Sequence, residues 1–152
     1  MCIRDSDDPF IIAGQGTAGL EIAQSGIDFD ALITCMGGGG LCAGISLVMN
    51  KLSPSTKIYG AEPEHYNDHQ MSLDSGQRER LTKMPQTLCD ALMTPQPGEL
   101  TWPINSKSLS GVFDVPIILF EDGVGLFQAA FQGCRQNIAR SASIYSRPRQ
   151  SF

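Results

Sequence analysis

"LITCMGGGGLCAGISLVMN", residues 32–50, decides the fold of this chain. An apolar run enters four successive glycines, Gly37 to Gly40, and a helical pattern begins at once. Glycine loses more backbone freedom on folding than any other residue, so a tight turn alone takes one or two. At the carboxyl edge of a strand, a glycine turn lets backbone N–H groups converge on a helix start with no side chain in the way. The helix dipole adds positive potential there, and together these favour a phosphate.

Working outward, "DALITCM" (30–36) reads as a buried strand, and residues 41–52 as a helix with Leu41, Ile45, Val48 and Leu52 on one side. Ser53-Pro54 ends that helix, and "TKIYGAEP" (56–63) reads as the next strand. Upstream, "PFIIAG" (9–14) has strand character, and "TAGLEIAQSG" (17–26) reads as a helix with Thr17 as N-cap and Gly26 as its stop. Strand, helix, strand, helix, strand at this spacing predicts an α/β fold, a parallel sheet with flanking crossover helices. Further on the pattern predicts a short helix around 67–73, a loop-rich stretch over 84–102, a strand at 112–119 and a short helix around 124–132.

Composition bounds the rest. With 152 residues, 41% apolar and 18% charged, the chain reads as one ordinary globular domain. Its net charge is −5, and no apolar run is long enough to span a bilayer, so neither a nucleic-acid nor a membrane partner is expected. Cys2, Cys35, Cys42, Cys89 and Cys134 are odd in number and form no CxxC pair, which favours reduced thiols and a cytoplasmic setting. All sixteen acids precede residue 123, and the last thirty residues carry four arginines and no acid. Residues 1–6, "MCIRDS", fit no element and read as a non-native scar; 7–122 form the α/β domain; 123–152 read as a tail, frame-shifted or disordered.

The phosphate can be narrowed by what is missing. A Walker loop needs Lys-Ser after its last glycine, but Ile45-Ser46 follows Gly44, so nucleoside triphosphate does not fit. Gly14-x-Gly16-x-x-Gly19 matches the dinucleotide fingerprint. The acid that should hold the ribose about 20 residues later is replaced by Cys35-Met36 and the glycine run. A cofactor with a single phosphate, pyridoxal 5'-phosphate, fits better than either.

Four stretches in order, "DDPFIIAGQGTAGLEI" (7–22), "GGGGLCAGIS" (37–46), "YGAEPE" (59–64) and "TLCDALMTPQPGELTW" (87–102), resemble the threonine/serine dehydratases, close to the serine racemases. These are fold type II pyridoxal-phosphate enzymes of tryptophan synthase β-like architecture. The resemblance covers residues 7–114 and implies that Gly37, Gly38, Gly39, Gly40 and the amide of Leu41 hold the cofactor phosphate. It implies that Ala91 lies against the cofactor ring, and that the GQGT stretch at 14–17 fixes a turn near the site. It further implies amino-acid substrates, elimination of water from L-threonine or L-serine followed by release of ammonia, and a homodimer or homotetramer.

The departures are chemical. The family carries its Schiff-base lysine in an SxKxR-like motif upstream of "DDP", and Lys51, Lys57, Lys83 and Lys107 have no such setting. The serine or threonine that partners the pyridine nitrogen, and an "EPGGA"-like segment, are also missing. No catalytic residue is therefore assigned, and the chain is expected to be an inactive part of a longer enzyme. Dehydratase, serine racemase and a non-catalytic phosphate- or nucleotide-binding module all remain open.

One further cluster stands out in "AEPEHYNDHQ" (61–70). Glu62 and Asp68 are hard oxygen ligands which, with a backbone carbonyl, suit Mg²⁺ or Ca²⁺. The resemblance implies a cation on Glu62, the Tyr66 carbonyl and Asp68. His65 and His69, four apart, read as solvated surface residues. Trp102 reads as a packing anchor, and Asp90 as ordering the turn beside Ala91 or capping the stretch after it.

Overall fold

The computed structural model describes residues 6–86 and 89–115. Three parallel strands, β1 (Ala31–Cys35), β2 (Lys57–Pro63) and β3 (Leu109–Val115), form one sheet in the order β1-β2-β3. Helices α1 (Pro9–Gln24), α2 (Gly40–Leu52), α3 (Asp68–Ser75) and α4 (Trp102–Ser108) accompany it, with a 3-10 turn at Asp90–Leu92. The parallel sheet with flanking helices agrees with the sequence. The expected strand residues beyond 115, the helix at 124–132, the tail and residues 1–5 lie outside the described residues.

The region 9–14 is not a strand. Asp8 caps a continuous helix from Pro9, its carboxylate accepting from the amides of Phe10 (2.8 Å) and Ile11 (3.2 Å), with proline in the first turn. Thr17 is therefore not an N-cap but a mid-helix residue whose hydroxyl donates to the Gly14 carbonyl. The GQGT stretch fixes no turn; it lies inside α1. The dinucleotide-like glycines serve packing instead. A β-carbon on Gly19 would lie 3.0 Å from the Ile45 Cα, and one on Gly44 would run into the backbone of Ile12 and Gly16. Glycine here lets α1 and α2 approach backbone to backbone. Gly26, in left-handed backbone, follows the end of α1 as expected.

The core lies between α2 and the sheet: Met36, Cys42, Ile45, Met49, Ile58 and Val112, with Ile22, Ala23 and Leu32 packed on it. The buried stripe of α2 runs through Cys42, Ile45 and Met49, while Leu52, grouped with Ile45 on one side in the sequence, is half exposed. Two other boundaries differ from the expectation. Residues 102–108, partly assigned to loop, form α4, and β3 begins at Leu109. No helix among the described residues is long and apolar enough to cross a membrane.

The register carries function. Cys35 pairs with Ala61, and Ala61 with Phe113, so β1 and β2 end side by side. The glycine turn and Glu62 therefore share the carboxyl edge of the sheet, where ligands of open α/β sheets bind.

Candidate functional site

The chain leaves β1 at Cys35, anchors Met36 through its amide to the Ala61 carbonyl (2.9 Å), and turns through Gly37–Gly39 into α2. Gly39 is the N-cap, at φ +89, a backbone that L side chains rarely adopt. No hydrogen bond among the described residues takes the N–H groups of Gly38, Gly39, Gly40 or Leu41. Gly38, Gly39 and Gly40 are buried. Unmatched donors at a helix start, with no β-carbon to crowd them, fit a phosphate.

The carbonyl side of the turn is held from a distant segment. The Gly38 carbonyl accepts from the Thr101 hydroxyl (2.7 Å) and the Gly98 amide (3.3 Å), and the Gly39 carbonyl from the Asn105 side-chain amide (3.1 Å). Thr101 and Asn105 are fully buried. Asp7 fixes that segment in turn, its carboxylate accepting from the amides of Glu99 (2.7 Å), Leu100 (2.8 Å) and Thr101 (3.1 Å). Ser6 packs directly against Gly38 and Gly40. A β-carbon on Gly37 would lie 3.4 Å from the Ala91 carbonyl oxygen, so the structure brings Ala91 to the glycine turn. Cys42, in the first turn of α2, has its thiol pushed up by burial and is no thiolate nucleophile.

The acidic cluster lies against the same turn. Glu62 caps α3, its two oxygens accepting from the amides of His69 (3.1 Å) and Gln70 (3.2 Å), because the N-cap residue Asn67 makes no side-chain bond of its own. The Glu62 carboxylate also meets His69 Nδ1 at 2.9 Å, and Asp68 lies 3.5 Å from that nitrogen. Glu62, Asp68 and His69 are each at most 1% exposed. Among the described residues, neither Asp68 oxygen nor His69 Nε2 has a hydrogen-bond partner. Burial, and then the Glu62 carboxylate, push the Asp68 pKa up to about 8.

His69 is thus not a surface residue; it is walled in beneath Gly39, a β-carbon on which would lie 2.8 Å from its Nε2. His65 is exposed, as expected, in left-handed backbone before α3. Tyr66 is buried, with its hydroxyl donating to the Pro85 carbonyl. The sequence reading missed His69, Thr101 and Asn105. His69 had a signal, its place beside Asp68 at a helix start, whereas nothing local marks the other two.

The four lysines are exposed, and none is among the atoms nearest the glycines. Residues 1–117 match the family model described as "Pyridoxal-phosphate dependent enzyme". The chain belongs to that family. It is 39% identical over 123 residues to a serine racemase of Dictyostelium discoideum, covering 80% of this chain and 36% of that one. It is 38% identical over 105 residues to an L-threonine ammonia-lyase of Thermotoga maritima, covering 69% of this chain and 26% of that one. Among solved structures it resembles a threonine deaminase from T.th., with a TM-score of 0.69 and 41% identity over 72% of this chain and 38% of that one. The chain thus spans about a third of the relatives it matches.

Proposed function

We propose that this chain carries the phosphate-holding part of an ammonia-lyase that removes water from L-threonine or L-serine and releases ammonia, leaving a 2-keto acid. The observation that carries the reading is the glycine turn: among the described residues nothing bonds the N–H groups from Gly38 to Leu41, Gly38–Gly40 are buried, and the carbonyls of Gly38 and Gly39 are braced from behind. Those amides hold the phosphate. Ala91, against Gly37, borders the cofactor ring. Bound there, pyridoxal phosphate supplies the electron sink of amino-acid chemistry.

The described residues of this chain bind and orient. The covalent lysine and the partner of the pyridine nitrogen come from protein beyond these 152 residues, so the chain alone does not turn over amino acids. Glu62, Asp68 and the Tyr66 carbonyl hold a divalent cation, Mg²⁺ or Ca²⁺, which neutralises the buried carboxylates and ties the start of α3 to the end of β2. The serine racemase likeness supports a second reading, in which the whole protein interconverts L- and D-serine.

The test is to extend the reading frame and assay the longer protein. An upstream SxKxR segment and 2-keto acid from L-threonine or L-serine are expected, with D-serine as the product under the second reading. Neither product from a folded, cofactor-loaded protein would overturn both readings. Keto acid formed by the 152-residue chain alone would overturn its assignment as a binding part.

A further inference from the structure

The expected cation ligands are all oxygens, yet the structure puts an imidazole among them. His69 Nδ1 lies 2.9 Å from a Glu62 oxygen and 3.5 Å from an Asp68 oxygen, and the three side chains offer donor atoms all within 4.8 Å of one another. Two ligands of one first-row ion, each at about 2.0–2.2 Å, are separated by distances of this order.

The cluster is also short of partners. The His69 Nδ1 bonds to Glu62, neither Asp68 oxygen has a hydrogen-bond partner among the described residues, and the three residues are at most 1% exposed to water. A dication cancels the two carboxylate charges and leaves the imidazole neutral, as a metal ligand must be.

We propose that His69, through Nδ1, is a ligand of the cation held by Glu62 and Asp68, making this a mixed nitrogen–oxygen site that prefers Co²⁺ or Mn²⁺ to Mg²⁺ and Ca²⁺. Imidazole suits borderline transition ions, whereas Mg²⁺ and Ca²⁺ take oxygen. With Nδ1 on the ion, the ring proton sits on Nε2. That nitrogen lies against Gly39 and has no hydrogen-bond partner among the described residues. The cation site thereby abuts the glycine turn through a single ring. The inference rests on the proposed cation site and adds to it the fourth donor and the choice of metal.

The experiment titrates the 152-residue chain, freed of metal with chelator, with Co²⁺, Mn²⁺, Mg²⁺ and Ca²⁺ by calorimetry, alongside His69→Gln and His69→Ala. Circular dichroism confirms that each variant folds. The expected result is tighter binding of Co²⁺ and Mn²⁺ than of Mg²⁺ and Ca²⁺, with His69→Gln weakening Co²⁺ by at least about tenfold and leaving Mg²⁺ and Ca²⁺ little changed. Pulsed electron paramagnetic resonance on Mn²⁺ bound to the unmutated chain reads the ligand directly, and coupling to imidazole ¹⁴N is expected. Cations bound without that coupling, and with His69→Gln unchanged, would overturn the role of His69 while leaving the oxygen site standing. No cation bound at all would overturn both.

Discussion

Replacing Gly39 by alanine tests the glycine turn at its tightest point. Two costs add. The backbone sits at φ +89, where a side chain costs about 1–2 kcal/mol. The new β-carbon would also lie 2.5 Å from Asn105 Nδ2, 2.8 Å from His69 Nε2 and 3.1 Å from Thr101 Oγ1. All three side chains are buried, Asn105 and Thr101 are tied to the turn's carbonyls and His69 to Glu62; forcing a carbon into filled space costs about 1–3 kcal/mol. The sum is about 2–5 kcal/mol. Gly26→Ala is the internal control, at φ +74 but with nothing within 4 Å of its β-carbon, so it carries the strain alone. Urea denaturation followed through Trp102, the single tryptophan and the first residue of α4, measures both variants. Gly39→Ala should lose at least about 1 kcal/mol more than Gly26→Ala. Equal losses would refute the packing of Asn105, His69 and Thr101 around the turn.

The same geometry sets other outcomes. Because burial lifts the folded-state pKa of Asp68 to about 8, the folded protein keeps a proton that the unfolded chain releases near pH 4. Stability from this group is therefore present at low pH and lost as pH climbs toward 8. In chelator, Asp68→Asn should be more stable than the parent chain at pH 8, with the gap closing toward pH 4, as read by thermal melts across pH. Asp7→Ala removes the acceptor of three backbone amides at 99–101 and should cost about 1–2 kcal/mol in urea denaturation. It should also weaken phosphate binding, since Thr101 braces the Gly38 carbonyl.

Much of the centre was legible because local signals agreed there. The apolar run of β1, the glycines and the helical pattern of α2 each pointed to one strand–turn–helix unit, and β2 repeated the strand signal. The start of α1 was misread because "FII" looks like a strand, although Asp8-Pro9 carries the cap-and-proline signature of a helix start. Only Trp102 of α4 fell within the stretch read as loop, and Pro103 sits in the first turn of that helix, where proline is tolerated. The site divides in the same way. Gly37–Gly40, Glu62 and Asp68 announce themselves by type and spacing. Thr101 and Asn105 reach the turn across 63 and 66 residues, and only the folded chain places them there. The burial of His69 depends on the packing of α3 beneath Gly39, which no periodicity in "DHQMSLDS" encodes.

The claim that matters most is that the turn at 37–41 holds the phosphate of pyridoxal phosphate. The direct measurement is calorimetric titration of the 152-residue chain with pyridoxal 5'-phosphate and, separately, with pyridoxal, each with and without inorganic phosphate. Binding of the phosphorylated compound, its displacement by inorganic phosphate, no measurable binding of pyridoxal and loss of binding in Gly39→Ala are the predicted results. Equal binding of pyridoxal and its phosphate, or indifference to Gly39→Ala, would contradict the account.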